Sequence, residues 1–310
     1  MSSVATPAPA PRRPRSRRTK LQRRQTRLAW LLLIPALAVV AFVAIYPLAK
    51  TVYQSFTNQE FLAGITPTKW VGLDNYSLIW HDPAWKHAVI LTLKFTVITV
   101  SFEFVLGLII ALVVNSNFKG RGPMRAVMLV PWAIPTVVAA KMWQWMLDDV
   151  FGVVNDAGVR LHIIAHSRAW ISDPSTSLAS VCAVDIWKTT PFVALLLLAG
   201  LQVIPGDVYE AASVDGANKL QQFWRITLPL LRPAILVTLI FRTLDALRVF
   251  DVFAVFFGNR PDTQTMAIYD QSTIVGDGHV GYGAAVSVAI FLVISLFVVI
   301  YVTFMRVTEE

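Results

Sequence analysis

Apolar residues in this chain gather in long blocks instead of alternating with polar ones. The first block, residues 28–49, is interrupted only by Pro35 and Pro47. Five more follow at about 88–114, 124–147, 176–201, 233–257 and 281–305. Each is about as long as a helix rising 1.5 Å per residue needs to cross the roughly 30 Å hydrocarbon core of a bilayer. Inside that layer every backbone N–H and C=O must be satisfied within its own segment, so such blocks form helices. The pattern predicts an all-α, polytopic membrane protein with six transmembrane helices, in one domain over residues 28–306. Composition agrees: 55% of residues are apolar and 15% charged, against about 25% charged in a soluble domain. The first block is too long for a signal-peptide core and no small-residue cleavage site follows it, so it reads as a retained span.

The net charge of +8 would fit nucleic acid if it were spread over a folded face, but it is not. Nine Lys and Arg fall between Arg12 and Arg27, in a Pro/Ala/Ser-rich arm (residues 1–27) with no apolar residues for a core. That arm is predicted to be disordered and to touch anionic membrane lipids, and no nucleic-acid partner is expected. With the N-terminus inside, the inner loops add Lys119, Arg121, Arg125, Lys219, Arg225, Arg232 and Arg306. The outer ones hold Lys50, Lys69, Lys86, Arg160, Arg168 and Arg260. The positive-inside rule then places both termini, and the loop at 202–229, in the cytoplasm of a multi-pass cell-membrane protein.

Several chemistries find no support. The single cysteine, Cys182, makes neither an internal disulfide nor a structural zinc site. His162 and His166 have a metal-compatible spacing, but no third ligand stands nearby and an ordinary polar loop is the simpler reading. No Gly-x4-Gly-Lys-Ser/Thr pattern occurs, so the chain lacks that route to nucleotide hydrolysis. For the paired acids a membrane enzyme needs, the segments between the spans offer Asp148-Asp149, on the outer side, and no more. No catalytic residue and no metal site are assigned.

Three features remain. The first is the loop itself: Glu210-Ala211-Ala212, then Asp215-Gly216-Ala217, then Ile226, Leu228 and Pro229. It reads as helix–turn–helix, with Gly216 at the bend and Pro229 ending the second run just before the fifth span. A glutamate at Glu210 also suits the first turn of a helix. The second is charge inside spans. Arg242, Asp245, Arg248 and Asp251 recur every three residues with alternating sign. They form either a self-neutralising ladder or a polar stripe along a watery path. Asp185, Trp187, Lys188, Thr189 and Phe192 set aromatic rings beside charged and hydroxyl groups, as sugar recognition requires, or else an interface tryptophan beside an ordinary ion pair. Glu103 and Lys141, on different spans, are candidates to pair. The third is Pro131 and Pro135, which predict a kink or unwinding in the third span.

The loop resembles the EAA loop of ABC importer permeases in Glu210-Ala211-Ala212, Asp215-Gly216-Ala217 and Ile226-x-Leu228-Pro229, with Ile204-Pro205 before it. Val71-Gly72-Leu73-Asp74-Asn75-Tyr76, Pro131-Trp132-Ala133-Ile134-Pro135 and Trp143-Gln144-Trp145 are similar to other segments of the carbohydrate branch, the maltose and glycerol-phosphate permease type. The resemblance covers about residues 70–306 and implies the type I ABC importer permease fold. It implies a second permease subunit, an external sugar-binding lipoprotein, and a cytoplasmic ATPase dimer that binds the ATP and Mg and docks on the EAA loop. This chain would then hold no cofactor and catalyse nothing. Glu210 would contact a basic ATPase residue and Gly216 would make the turn. Sugar contacts would fall on Asp185, Lys188, Thr189, Phe192, Asp245 and Arg248, with Trp187 at a matching position. Over its whole length the chain resembles permeases of trehalose importers, so a disaccharide is the implied cargo. The alternative is an ion-coupled secondary transporter using the buried acids as a proton relay.

Overall fold

A computed structural model describes residues 20–61, 67–116 and 119–307. Residues 1–19 of the basic arm lie outside them. Contacts divide the chain into two compact units after Thr51. The first contains α1 (Lys20–Val40) and a π-helical turn at Ala41–Ile45, which leads into α2 (Tyr46–Gln54).

The second unit carries the rest: α3 (Asp74–His81), α4 (Pro83–Asn115), α5 (Arg121–Met128), α6 (Val130–Ala133), α7 (Thr136–Met146), α8 (Val153–Arg160), α9 (Pro174–Val203), α10 (Gly206–Val214), α11 (Lys219–Gln222), α12 (Leu228–Leu247), α13 (Asp251–Phe257), α14 (Met266–Gln271) and α15 (Val280–Val307). Among the described residues, five stretches are long and apolar enough to cross a membrane, and a sixth is if the bent pair α5–α6 and α7 counts as one span.

Local chemistry sets the ends of the two longest helices. Asp82 and Asp173 each cap a helix whose first residue is proline. Their side chains accept from the N–H groups of Ala84 (2.7 Å) and Ser175 (2.8 Å). The cap satisfies an orphan donor, and proline supplies a preset φ where no N–H is needed. The second span accordingly starts at Pro83, five residues before the apolar block suggested.

Two spans depart from the expected uninterrupted blocks. The third bends by 87°: Ile134 is extended (φ −69°, ψ 130°) because Pro135 follows it and disfavours the helical region. The fifth begins earlier. Pro229 does not end the run before it; α11 continues through a π-helical turn, Phe223–Thr227, straight into α12. The wider turn accommodates the proline's missing N–H. The fifth span is also broken at Arg248–Phe250, where Phe250 takes φ −133°, ψ −63°. The hydroxyl of Thr265 caps the freed Val249 carbonyl at 2.9 Å. This break carries Arg248 and Asp251 off the helix that holds Arg242 and Asp245.

Helices α4 and α9 pack along much of their length, with α12 against both. Among the hydrophobic clusters at the centre, one gathers Phe95, Val181, Val184, Ala246 and Phe253, and another Ala111, Val114, Val193, Leu197 and Leu231. On the side predicted to be external, the side chain of Asn75 donates to the carbonyls of Ser55 and Thr57, both at 2.9 Å, with Tyr76 hydroxyl on Ser55 at 2.7 Å. That segment is thus a tied corner, and the short helices α3, α8 and α14 occupy what read as loops.

Candidate functional site

Two places in the second unit gather the residues singled out in the sequence. The first is a cavity of about 280 Å³ where α9, α12, the α12–α13 break, Phe95 of α4 and the α6–α7 bend meet. Asp185, Lys188 and Thr189 line it from α9, Arg242 and Asp245 from α12, and Arg248 and Asp251 from the break. Trp132 and Thr136 enter from the bend, so the proline-driven kink brings an aromatic face to a charged wall.

Five of the seven predicted path residues line this cavity: Asp185, Lys188, Thr189, Asp245 and Arg248. The other two pack behind it. Trp187 lies edge-on to Trp143 (centroids 5.4 Å apart, planes at 70°). Two residues on from Asp185, it is turned roughly 200° around the helix. Phe192 stacks on Trp132 at 5.6 Å with planes 12° apart, and so braces the ring that does line the cavity.

At the centre of the wall Arg242, 2% exposed, forms ion pairs with three carboxylates from three helices. Nε and one terminal nitrogen bond both oxygens of Glu103, the second contact at 2.9 Å; the same terminal nitrogen also bonds Asp185. The other terminal nitrogen bonds Asp245 at 2.8 Å. The alternating ladder is therefore half formed: Arg242 and Asp245 pair as neighbours three apart, while Arg248 and Asp251 do not continue it. Glu103 pairs with Arg242 and not with Lys141, whose ammonium bonds Gln144 at 2.9 Å. Neither Glu103 nor Arg242 was among the predicted path residues. The signal was present, since an acid in the middle of an apolar block requires a partner.

The second place is the 202–229 loop. Helix α10 ends in a Schellman motif: Ala217 N–H bonds Ala212 C=O (2.9 Å) and Gly216 N–H bonds Ser213 C=O (3.1 Å). Gly216 has φ +81°, the left-handed geometry this motif takes and glycine allows. Asn218 and Gln221 then form a capping box that starts α11. Buried Gln222 fastens the two helices, donating to Ser213 Oγ (2.9 Å) and the Ala217 carbonyl (3.1 Å); Tyr209 meets Thr227 at 3.0 Å. Ala212, Ile226, Leu228 and Pro229 are half-buried, while Ala211 and Asp215 are exposed. The Glu210 side chain is exposed and makes no hydrogen bond or ion pair among the described residues. Val214, Leu220 and Trp224 stand exposed in the same loop.

One acid outside the spans has its own consequence. Asp270 of α14 accepts from Ser287 at 2.7 Å while its other oxygen is buried without a partner. Burial pushes its carboxyl up to about 6, against the lowering effect of the Ser287 bond. The folded chain therefore binds a proton that the unfolded chain releases near pH 4, and stability falls as pH rises through that window. The melting temperature of the detergent-solubilised protein should rise between pH 7 and pH 5 more in the wild type than in Asp270→Asn. Equal pH dependence in the two would remove Asp270 as the cause.

The sequence profile described as "Binding-protein-dependent transport system inner membrane component" matches residues 103–309. The sulfoquinovosyl glycerol transport system permease protein SmoG of Agrobacterium fabrum is 39% identical, with 91% of each chain covered. The trehalose/maltose transport system permease protein MalF of Thermococcus litoralis is also 39% identical, over 91% of this chain and 95% of that one. The trehalose transport system permease protein SugA of Mycobacterium tuberculosis is 36% identical, over 92% and 91%. Among solved structures, a bacterial ABC transporter chain involved in import of the acidic polysaccharide alginate superposes with a TM-score of 0.80, at 22% identity, over 94% of this chain and 100% of that one.

Proposed function

The chain belongs to the binding-protein-dependent transport system inner membrane components, and from that premise we propose that it forms half of the translocation path of an ATP-binding-cassette sugar importer. The cargo is a disaccharide, trehalose first. Both trehalose-system relatives and the sulfoquinovosyl glycerol permease match at 36–39% identity, so the shared chemistry is a polyhydroxylated glycoside. A second permease subunit completes the path and an external sugar-binding lipoprotein delivers the sugar. Both termini lie in the cytoplasm, where an ATPase dimer binds ATP and Mg and docks on the α10–α11 loop.

The observation that carries this reading is the pairing of two unlike sites in one chain. One is a cavity lined by acceptors, donors and an aromatic face. The other is a braced, exposed helical turn whose Glu210 has no internal partner. An ion-coupled transporter needs the first and has no use for the second.

The deciding experiment is uptake of labelled trehalose and maltose into liposomes holding this chain with its sister permease, with and without the ATPase and the external binding protein. Uptake is expected only with the full set and ATP. Uptake persisting without the ATPase would sink the reading in favour of the ion-coupled alternative.

The cavity makes a narrower prediction. The Asp245 side chain is 75% exposed, and Arg242 keeps Glu103 and Asp185 as partners, so Asp245→Asn should leave insertion intact and cost about 1 kcal/mol of stability or less. It should nonetheless lower uptake several-fold per transporter, with the ATPase still bound. Unchanged uptake would remove Asp245 from the path.

A further inference from the structure

We infer that Arg242 is a positioning residue for the translocation path, a fork anchored on Glu103 that holds the carboxylates of Asp185 and Asp245 at the cavity wall. The inference rests on the sugar-path reading above and adds two residues to it, one of which never reaches the cavity.

The geometry divides the cluster into a back and a front. Glu103 is fully buried and absent from the cavity lining; both of its oxygens are occupied by Arg242. Asp245, in front, bonds Arg242 through one oxygen only. Asp185 is held between Arg242 and the Thr189 hydroxyl, the latter at 3.4 Å. A guanidinium presents its donors in a rigid plane, so fixing one of its edges at two points against Glu103 fixes where the remaining N–H groups point. Those groups set the two carboxylates that line the path.

Stability alone does not account for such a cluster. Charges at membrane depth are costly, and a buried ion pair commonly contributes no more than apolar side chains of the same volume. Three acids around one cation also leave negative charge over, which Lys188 and Arg248 on the same cavity wall offset. Among the side chains that line the cavity, leaving Glu103 behind them aside, Asp185, Asp245 and Asp251 balance Lys188, Arg242 and Arg248, and the lining is rich in both donors and acceptors. That lining suits an uncharged, hydroxyl-bearing solute. Hydroxyls find the acceptors only if the acceptors stay put, and Arg242 is what holds them.

The test uses the complete transporter in liposomes, wild type against Arg242→Lys and Glu103→Gln, with labelled trehalose and maltose as probes. The readout is sugar carried per ATP hydrolysed, a ratio that does not change if a variant merely folds in lower yield. Lysine keeps the charge and loses the fork, so Arg242→Lys should lower the ratio about tenfold, because exchange at a site bonded through several edges is not conservative. Glu103→Gln loosens the anchor and should lower the ratio two- to fivefold, reaching the sugar only through Arg242. If Arg242→Lys does not assemble, Glu103→Gln decides. A wild-type ratio in every variant that assembles would overturn the inference and leave the cluster a helix clamp. No uptake of either probe by the wild type would instead overturn the cargo reading, and this inference with it.

Discussion

Reversing the charge at Glu210 is expected to cost the transporter most of its ATP-driven uptake without destabilising the chain. Glu210 is exposed and has no partner among the described residues, so Glu210→Lys should move the melting temperature very little, as surface changes away from caps and cores do. Under the coupling role proposed above, the same change sets a cation against the basic residue of the ATPase. A hot-spot contact of that kind contributes on the order of 2 kcal/mol, about thirtyfold in docking. The turn beside it gives an independent check. Nothing lies within 4 Å of where a Gly216 side chain would begin, so a substitution there acts on backbone alone. Gly216→Val should strain the left-handed residue by roughly 1–2 kcal/mol and swing α11 away from α10, uncoupling uptake, whereas Gly216→Asn should retain most of it. Co-purification of the ATPase and uptake in liposomes read both. Normal ATPase binding by Glu210→Lys would remove this residue from the docking contact.

The membrane blocks were legible because hydropathy over twenty residues needs no partner to be meaningful. The kink of the third span was legible too, since Pro135 acts on Ile134 whatever surrounds them. The break at Arg248–Phe250 was not. Those residues contain neither glycine nor proline, and what stabilises the break is Thr265, sixteen residues further on, bonding the Val249 carbonyl. The same holds for the partner of Glu103. Arg242 and Lys141 were both cations on other spans, and only the rotation of α12 against α4 decides between them. Of the five predicted path residues that line one cavity, Asp185, Lys188 and Thr189 do so because they sit three and four apart on one helical face. Trp187 has the right chemistry for a sugar but lies on the other face. In the loop, Gly216 announced its turn. Gln222, which fastens the two helices, carried no signal, because its hydrogen bonds depend on the turn already being made.

The second large effect concerns how closely the helices approach. A Cβ at Gly200 of α9 would lie 2.3 Å from the Cβ of Ala234 on α12, and one at Gly107 of α4 would lie 2.6 Å from Val193 Cγ1 on α9. Without a hydrophobic drive between helices in lipid, small residues at such contacts let dispersion hold the helices together. Ala234 has no side-chain rotation with which to yield, so even Gly200→Ala must push α12 and α9 apart. Overpacking of this kind typically costs about 1–3 kcal/mol. Because α9 and α12 also carry Asp185 and Arg242, the displacement should reach the cavity wall as well as the fold. Gly200→Ala should therefore lower both the melting temperature of the purified protein and its uptake, and Gly200→Val should leave little inserted protein. The compensating change identifies the cause: Ala234→Gly in the Gly200→Ala background moves the methyl group from one helix to the other and should restore both measurements to near wild type. A double-mutant cycle with no coupling energy between the two positions would show that the helices do not depend on this contact.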